Sequence, residues 1–282
     1  MGHTLGIVAK PRLEAVELAV AVARWAGDHK HRVVADPRTA ENLADVAAVG
    51  PAALKDADLV VVIGGDGTLI HAAQMLEGRK VPIFGINVGT LGFLTEITRA
   101  ADIYGLLADS LEGHTAVEER MLLKVEARRG GRSYFQGLVL NDAVVNKAAL
   151  ARIAELACYI DGREATRYRA DGLIVATPTG STAYNLAAGG PILYPTLRSL
   201  LLSPICPHTL TQRPLVLPAS AEVRLVLVSD NGEMFLTLDG QRGTALHTGD
   251  EIVVRESRRR VYLVRSPEVD FFSILRQKLH WG

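Results

Sequence analysis

The 282-residue sequence predicts a doubly wound α/β domain followed by a mostly β domain, and three observations carry that expectation. Between Leu5 and about Gly113, continuous apolar runs ("LGIVA", "HRVVAD", "LVVVIG", "VPIFGIN") alternate with longer helix-like stretches, the pattern of a mostly parallel sheet covered on both faces. After about Glu118 the texture changes to short alternating segments such as "LLKVEA", "GLIVATP" and "EVRLVLV", which predict a two-sheet sandwich. The tail "EVDFFSILRQKLHWG" places Phe271, Ile274, Leu275 and Leu279 at helical spacing, so a short terminal helix is expected to dock back on the α/β domain. The expected divisions are 1–117, 118–265 and 266–282.

Within this frame the elements follow from local signals. "LEAVELAVAVARWAGDH" and "AADIYGLLADSL" have the length and periodicity of helices, and a ligand site is expected at the carboxyl ends of the parallel strands. Asn231-Gly232, flanked by strand-like runs, predicts a type I′ hairpin, because both central residues of that turn need positive φ. Arg258-Arg259-Arg260, between "EIVV" and "VYLV", predicts a solvated hairpin turn.

Composition narrows the function. With 48% apolar and 22% charged residues the chain can fill a core, and 31 basic residues balance 31 acidic ones. Zero formal charge offers no basic surplus for nucleic acid or an anionic membrane, so a small-molecule site is expected. Cys158 and Cys206 lie far apart without metal-ligand spacing, which fits neither a disulfide framework nor a zinc site and suits a reducing cytoplasm. No apolar run approaches the roughly 20 residues of a membrane span, and "MGHTLGIVAK" has no small-residue cleavage site, so a soluble, unprocessed protein is expected.

The most informative stretch is "VVVIGGDGTLIHAA", Val60 to Ala73. Gly64 and Gly65 permit a sharp turn, and a helix opening at about Thr68 supplies N–H groups for phosphate, so Gly64, Gly65, Gly67 and Thr68 read as a phosphate loop. It matches neither G-x-G-x-x-G nor the P-loop, and Asp66 in its midst also suits a plain N-cap or turn residue. "TPTGSTAYN" likewise reads as a helix start capped by Thr179 or Ser181, and "LND" as a strand end turning on Asn141 and Asp142.

Taken together, "GGDGT", "LGFL" (Leu91–Leu94), "LND" (Leu140–Asp142), "DGLIVATPTGSTAYNLAAGGP" (Asp171–Pro191), "PHTLTQRP" (Pro207–Pro214) and "DGQ" (Asp239–Gln241) closely resemble the NAD kinases, in order and over nearly the whole length. The resemblance implies phosphorylation of the 2′-hydroxyl on the adenine ribose of NAD, with ATP as donor and a divalent metal, Mg²⁺ being expected. It implies that Asp66 accepts the hydroxyl proton, or helps place the metal on the donor phosphates, or both. Asn141 and Asp142 would hold the adenosine part, Asp171 would face the nicotinamide end, and Thr182, Ala183, Tyr184, Asn185, Leu186 and Ala187 would line the dinucleotide pocket. Gly67, His71, Phe93, Arg152, Arg169, Thr179 and Gln241 are further contacts on this reading. For Arg152 and Arg169, exposed strand arginines are an equal alternative, a solvated helix histidine suits His71 nearly as well, and Phe93 read by itself is most simply a core residue.

The family commonly forms homodimers or homotetramers through its β domain, so a homo-oligomer is implied. Preference for NAD or NADH, ATP or polyphosphate as donor, metal identity and allosteric control stay open. The rival enzyme class is the diacylglycerol and sphingosine lipid kinases, which share "GGDGT" but tend to carry G-T-x-N-D-x-A where this chain has "GTLGFL". A non-catalytic dinucleotide sensor is the other alternative, and retention of the Asp66 charge argues against it.

Overall fold

The computed structural model describes residues 2–98, 102–147, 154–209, 211–229 and 234–281. The chain divides into two compact units, one of Met1–Glu119 with Arg260–Gly282 and one of Arg120–Arg259.

The first unit opens with β1 (Thr4–Ala9), α1 (Leu13–Asp28) and β2 (Arg32–Ala35), then the short α2 (Pro37–Ala40), β3 (Ala48–Val49) and α3 (Pro51–Lys55). It continues with β4 (Leu59–Gly64), α4 (Asp66–Leu76), β5 (Pro82–Asn87), β6 (Ile97–Thr98) and α5 (Ile103–Leu111). The strands lie in the order β6-β5-β4-β1-β2-β3, and every pairing among them is parallel. Near-continuous burial of β4 follows from helices on both faces. Leu5, Ile7, Val61, Ile63, Phe84 and Ile86 cluster with Ala15, Leu18, Val22 of α1 and Leu107 of α5. On the other face a Cβ at Gly6 would meet Leu54 beyond α3's start, and one at Gly85 would meet Leu69 of α4.

The crossovers through α1 and α4 run in opposite directions along the sheet, so right-handed connections put these helices on opposite faces. The reversal lies between β1 and β4, and a doubly wound sheet presents its ligand crevice beyond the carboxyl ends there. That is where the "GGDGT" loop leaves β4. The C-terminal helix predicted from sequence is present in this unit as α7 (Phe271–Leu279). Asp270 caps it, accepting the N–H groups of Phe272 and Ser273 at 2.8 and 3.1 Å, and Phe271, Ile274 and Leu275 are buried.

The second unit is built from β7 (Val117–Arg129, entering from the first unit), β8 (Arg132–Val139), β9 (Asp142–Lys147), β10 (Ala154–Ile160), β11 (Arg163–Ala170) and β12 (Gly172–Ala176). A 3₁₀ turn (Thr179–Thr182) and the one-turn α6 (Tyr184–Ala187) precede β13 (Ser199–Ile205), β14 (Leu215–Pro218), β15 (Val223–Ser229), β16 (Met234–Leu238), β17 (Arg242–Leu246) and β18 (Glu251–Val264). One antiparallel sheet has the order β14-β13-β12-β9-β16-β17. The other runs β11-β10-β15-β18, also antiparallel. Leu156, Cys158, Leu225 and Ile252 from this layer meet Val145, Leu173, Val175 and Leu236 from the first in one core. Each of the Val, Leu and Ile side chains stabilises the sandwich by about 1.5–3 kcal/mol.

Two expectations are corrected. β15 and β16 do not form a hairpin: β15 pairs with β10 and β18, and β16 with β9 and β17, so both edges of each strand are taken and the chain changes layers between them. Asn231 and Gly232 themselves lie outside the described residues. Arg258, Arg259 and Arg260 form no turn but lie within the single strand β18, because the run contains no Gly, Pro, Asn or Asp to break it and Arg258 and Arg259 simply face solvent.

Candidate active site

Asp66 is the first residue of α4, whose N-cap is Gly65, so the helix begins two residues before Thr68. Its carboxylate does not cap its own helix. Instead Oδ2 accepts the Phe93 N–H at 2.8 Å, and Oδ1 accepts the N–H groups of Leu94 and Thr95 at 3.0 and 3.2 Å and the Thr95 hydroxyl at 3.2 Å. The "LGFL" loop is therefore folded around the carboxylate of the "GGDGT" loop. Gly92 permits this, since a Cβ there would lie 2.0 Å from Asp66 Oδ1.

The glycines of the "GGDGT" loop serve closeness more than unusual backbone angles. Gly65 is extended at φ −119°, and neither Gly64 nor Gly67 has positive φ. A Cβ at Gly64 would fall 2.4 Å from Thr68 Oγ1, whereas beside Gly65 and Gly67 there is open space through which a ligand can approach the backbone. At the neighbouring strand end, paired with Gly64, Asn87 Oδ1 accepts the Gly89 N–H at 2.8 Å while Nδ2 donates to Thr90 O and Thr95 Oγ1, both at 2.9 Å. Lys278 of α7 donates to Leu91 O at 2.6 Å and lies 5.3 Å from the half-buried Phe93 ring. A cleft of about 620 Å³ opens beside this loop, lined by Asn87, Gly89 and Leu91 together with Glu14, Ser273 and Gln277. His71 is exposed on α4.

In the second unit "LND" leads into β9, whose Asp142 pairs with Ala176 at the end of β12. Asp239, in the left-handed region at φ +50°, accepts the N–H groups of Leu140, Asn141 and Asp142 at 2.9, 2.7 and 3.1 Å. The Thr177 hydroxyl donates to Leu140 O at 2.5 Å, and the Thr177 N–H to Asn141 O at 2.8 Å. Gly180 completes this seam, for a Cβ there would be 2.2 Å from Asn141 O. Asp142 is 5% exposed, and burial, then the charge of Asp239, pushes its carboxyl up to about 7. Tyr184 leaves α6 exposed at 43%, with a ring face and hydroxyl on offer.

Models of the ATP-NAD kinase N-terminal and C-terminal domains match residues 5–115 and 140–266. The chain belongs to the NAD kinase family. It is 54% identical to an NAD kinase of Geobacter metallireducens over 226 residues, 80% of each chain. It is similar to yeast NADH kinase solved with NADH (28% identity, TM-score 0.89, all of this chain and 88% of that one). It is also similar to an Archaeoglobus fulgidus NAD kinase solved with ATP (26% identity, TM-score 0.73, all of both chains).

Against the residues expected of an NAD kinase, the structure sorts the second unit unevenly. Asn141, Asp142, Thr179 and Thr182 gather at the adjoining ends of β9 and β12 and in the turn that follows, with Gln241 exposed in the turn after β16. Ala183 and Leu186 are half-buried and Ala187 exposed. Asn185, expected among the pocket residues, is fully buried; its Nδ2 donates to Ser181 O and Pro191 O at 3.0 and 3.1 Å, and its Oδ1 accepts from Ser203 at 2.6 Å, so it braces the turn from within. Thr179 is also buried, its hydroxyl taken by Arg120 at 3.4 Å. Asp171 pairs with Lys147 at 2.7 Å and faces His208 at 3.7 Å, while Arg169 is exposed on β11. Arg152 lies outside the described residues.

Asp239, Asn87, Thr95, Lys147 and Arg120 are the participants that sequence reasoning passed over. Asp239 and Thr95 stand in or beside quoted motifs, which is the signal that could have found them. Arg120, at 2% exposure the bulkiest fully buried side chain among the described residues, carries no local signal in its strand.

Proposed function

We propose that this protein is an NAD kinase, transferring the terminal phosphoryl group of ATP to the 2′-hydroxyl of the adenosine ribose of NAD to give NADP. The observation that carries the reading is the Asp66 carboxylate, fixed by four donors at the mouth of a glycine-rich strand-to-helix loop. Phosphoryl transfer needs positioning and charge neutralisation more than a strong base, because the hydroxyl proton leaves late in a loose transition state. Asp66 Oδ2 orients that hydroxyl and takes its proton. The loop N–H groups and the N-terminal end of α4 receive the donor phosphates through the open space at Gly65 and Gly67.

In the second unit Asn141 and Asp142 hold the adenosine, and a carboxylate accepting from two ribose hydroxyls is their natural chemistry. Ligand hydroxyls would favour the ionised form of Asp142, opposing the burial that raises it. Thr182, Ala183 and Tyr184 flank the dinucleotide, and Asp171, with Lys147 and His208, serves its nicotinamide end.

The ATP complex of the Archaeoglobus fulgidus relative supports ATP as donor, and the NADH complex of the yeast relative supports a dinucleotide acceptor. The residues present fit Mg²⁺ held mainly by the nucleotide's phosphates, since a hard cation that keeps its waters needs few protein oxygens, and Asp66 Oδ2 is the one this loop can spare. When bound it would offset phosphate charge. A cytoplasmic homodimer or homotetramer is part of the proposal; among the described residues no helix is long and apolar enough to cross a membrane.

Incubating purified protein with NAD, ATP and Mg²⁺ and detecting NADP tests the reading, with NADH, polyphosphate and diacylglycerol arms run beside it. Phosphorylated diacylglycerol without NADP would install the lipid-kinase alternative, and NAD binding without any ATP-dependent product would install the sensor.

A further inference from the structure

The two oxygens of Asp66 are not equivalent. Among the described residues Oδ1 accepts three donors, the N–H groups of Leu94 and Thr95 and the Thr95 hydroxyl, whereas Oδ2 accepts Phe93 N–H alone. The direction of the hydroxyl bond is determined by Asn87. Asn87 Oδ1 must face the Gly89 N–H, a pure donor, and Nδ2 must face Thr90 O, a pure acceptor, so the amide cannot be turned over. Nδ2 therefore donates to Thr95 Oγ1, and the single Thr95 proton is left to go to Asp66 Oδ1. Thr95 is fully buried and Asn87 nearly so, which keeps water from competing for either bond.

We infer that Asn87 and Thr95 are positioning residues for phosphoryl transfer: their one-way chain of hydrogen bonds pins Oδ1 and leaves Oδ2 as the oxygen that meets the substrate hydroxyl. The inference rests on the reading of Asp66 as hydroxyl acceptor. A carboxylate free to rotate would present either oxygen and lose alignment with the incoming hydroxyl, and misplacement on the scale of 1 Å costs about 100-fold in rate. Their role is exerted through Asp66, since Thr95 is bonded to its Oδ1 and Asn87 to Thr95.

The test is steady-state kinetics of Thr95→Val and Thr95→Ser in the full-length protein, with Asp66→Asn alongside. Thr95→Val keeps the shape and removes the donor, so kcat is expected to fall by about 10-fold or more while KM for NAD stays within about twofold. Thr95→Ser restores the hydroxyl and is expected to recover most of kcat. If Thr95→Val proves too unstable to purify, Thr95→Cys, whose thiol is a weak donor of similar size, takes its place with the same expectation. A Thr95→Val enzyme with wild-type kcat overturns the inference, as does a Thr95→Ser enzyme as slow as Thr95→Val, which would reduce Thr95 to a packing methyl. Near-normal kcat in Asp66→Asn would instead remove the reading of Asp66 beneath it, a separate result.

Discussion

Asp239 accepts the backbone N–H of Asp142 at 3.1 Å while its charge opposes ionisation of the Asp142 side chain. One carboxylate thus builds the strand end on which the other is presented. Burial supplies the larger part of the effect and moves the Asp142 carboxyl from 3.8 up to about 7. Between those values the folded protein holds a proton that the unfolded chain has released, so stability falls as pH rises through that window. The difference is on the order of 4 kcal/mol across the full window. Asp142→Asn removes the titration. Its Tm is expected to exceed that of the parent at pH 8 and to match it near pH 4, measured by thermal unfolding without ligand, while its affinity for NAD falls.

Asp66→Asn is expected to abolish turnover while NAD binding persists. Whichever way the amide is placed, its NH₂ faces either the Phe93 N–H or the donors of Leu94 and Thr95. A stability loss of about 1–3 kcal/mol should accompany the kinetic loss. Denaturant unfolding beside isothermal NAD titration separates the two effects; near-normal kcat would make Asp66 purely structural.

Gly92→Ala and Gly180→Ala probe the two loops separately. The first places a methyl 2.0 Å from Asp66 Oδ1 and is expected to lower kcat chiefly. The second places one 2.2 Å from Asn141 O and is expected to raise KM for NAD chiefly. Each should also cost about 1–3 kcal/mol of stability, as overpacking generally does. Equal effects of both variants on kcat and KM would contradict this division of labour.

Asn185→Leu leaves Ser203 Oγ and the carbonyls of Ser181 and Pro191 without their partner in a fully buried place. A loss of more than about 2 kcal/mol is expected. If stability were unchanged and only NAD affinity dropped, Asn185 would be a ligand contact and not a brace.

How far the sequence reached can be seen residue by residue. The alternation of buried runs with helices specified a parallel sheet because a strand covered on both faces has no polar side to show, and β4 carries that signature from Leu59 to Gly64. The motifs marked the loops at Gly64–Thr68, Asn141–Asp142 and Thr177–Asn185, since turn chemistry is local. Strand pairing was not legible: β15 and β16 looked like a hairpin around Asn231-Gly232, yet they serve different sheets. Nor did the triple arginine reveal itself as strand interior.

What the sequence by itself determined, then, is the class of the two units, the family, and the glycine-rich loop with a carboxylate in it. Only the tertiary structure decided what that carboxylate does when no substrate is near. Asp66 is bound by Phe93, Leu94 and Thr95, 27 to 29 residues away, and Asn87 orients the last of these. The physical reason is that a hydrogen bond depends on distance and direction in space, and those are set by adjacent strand ends, not by neighbours in the chain.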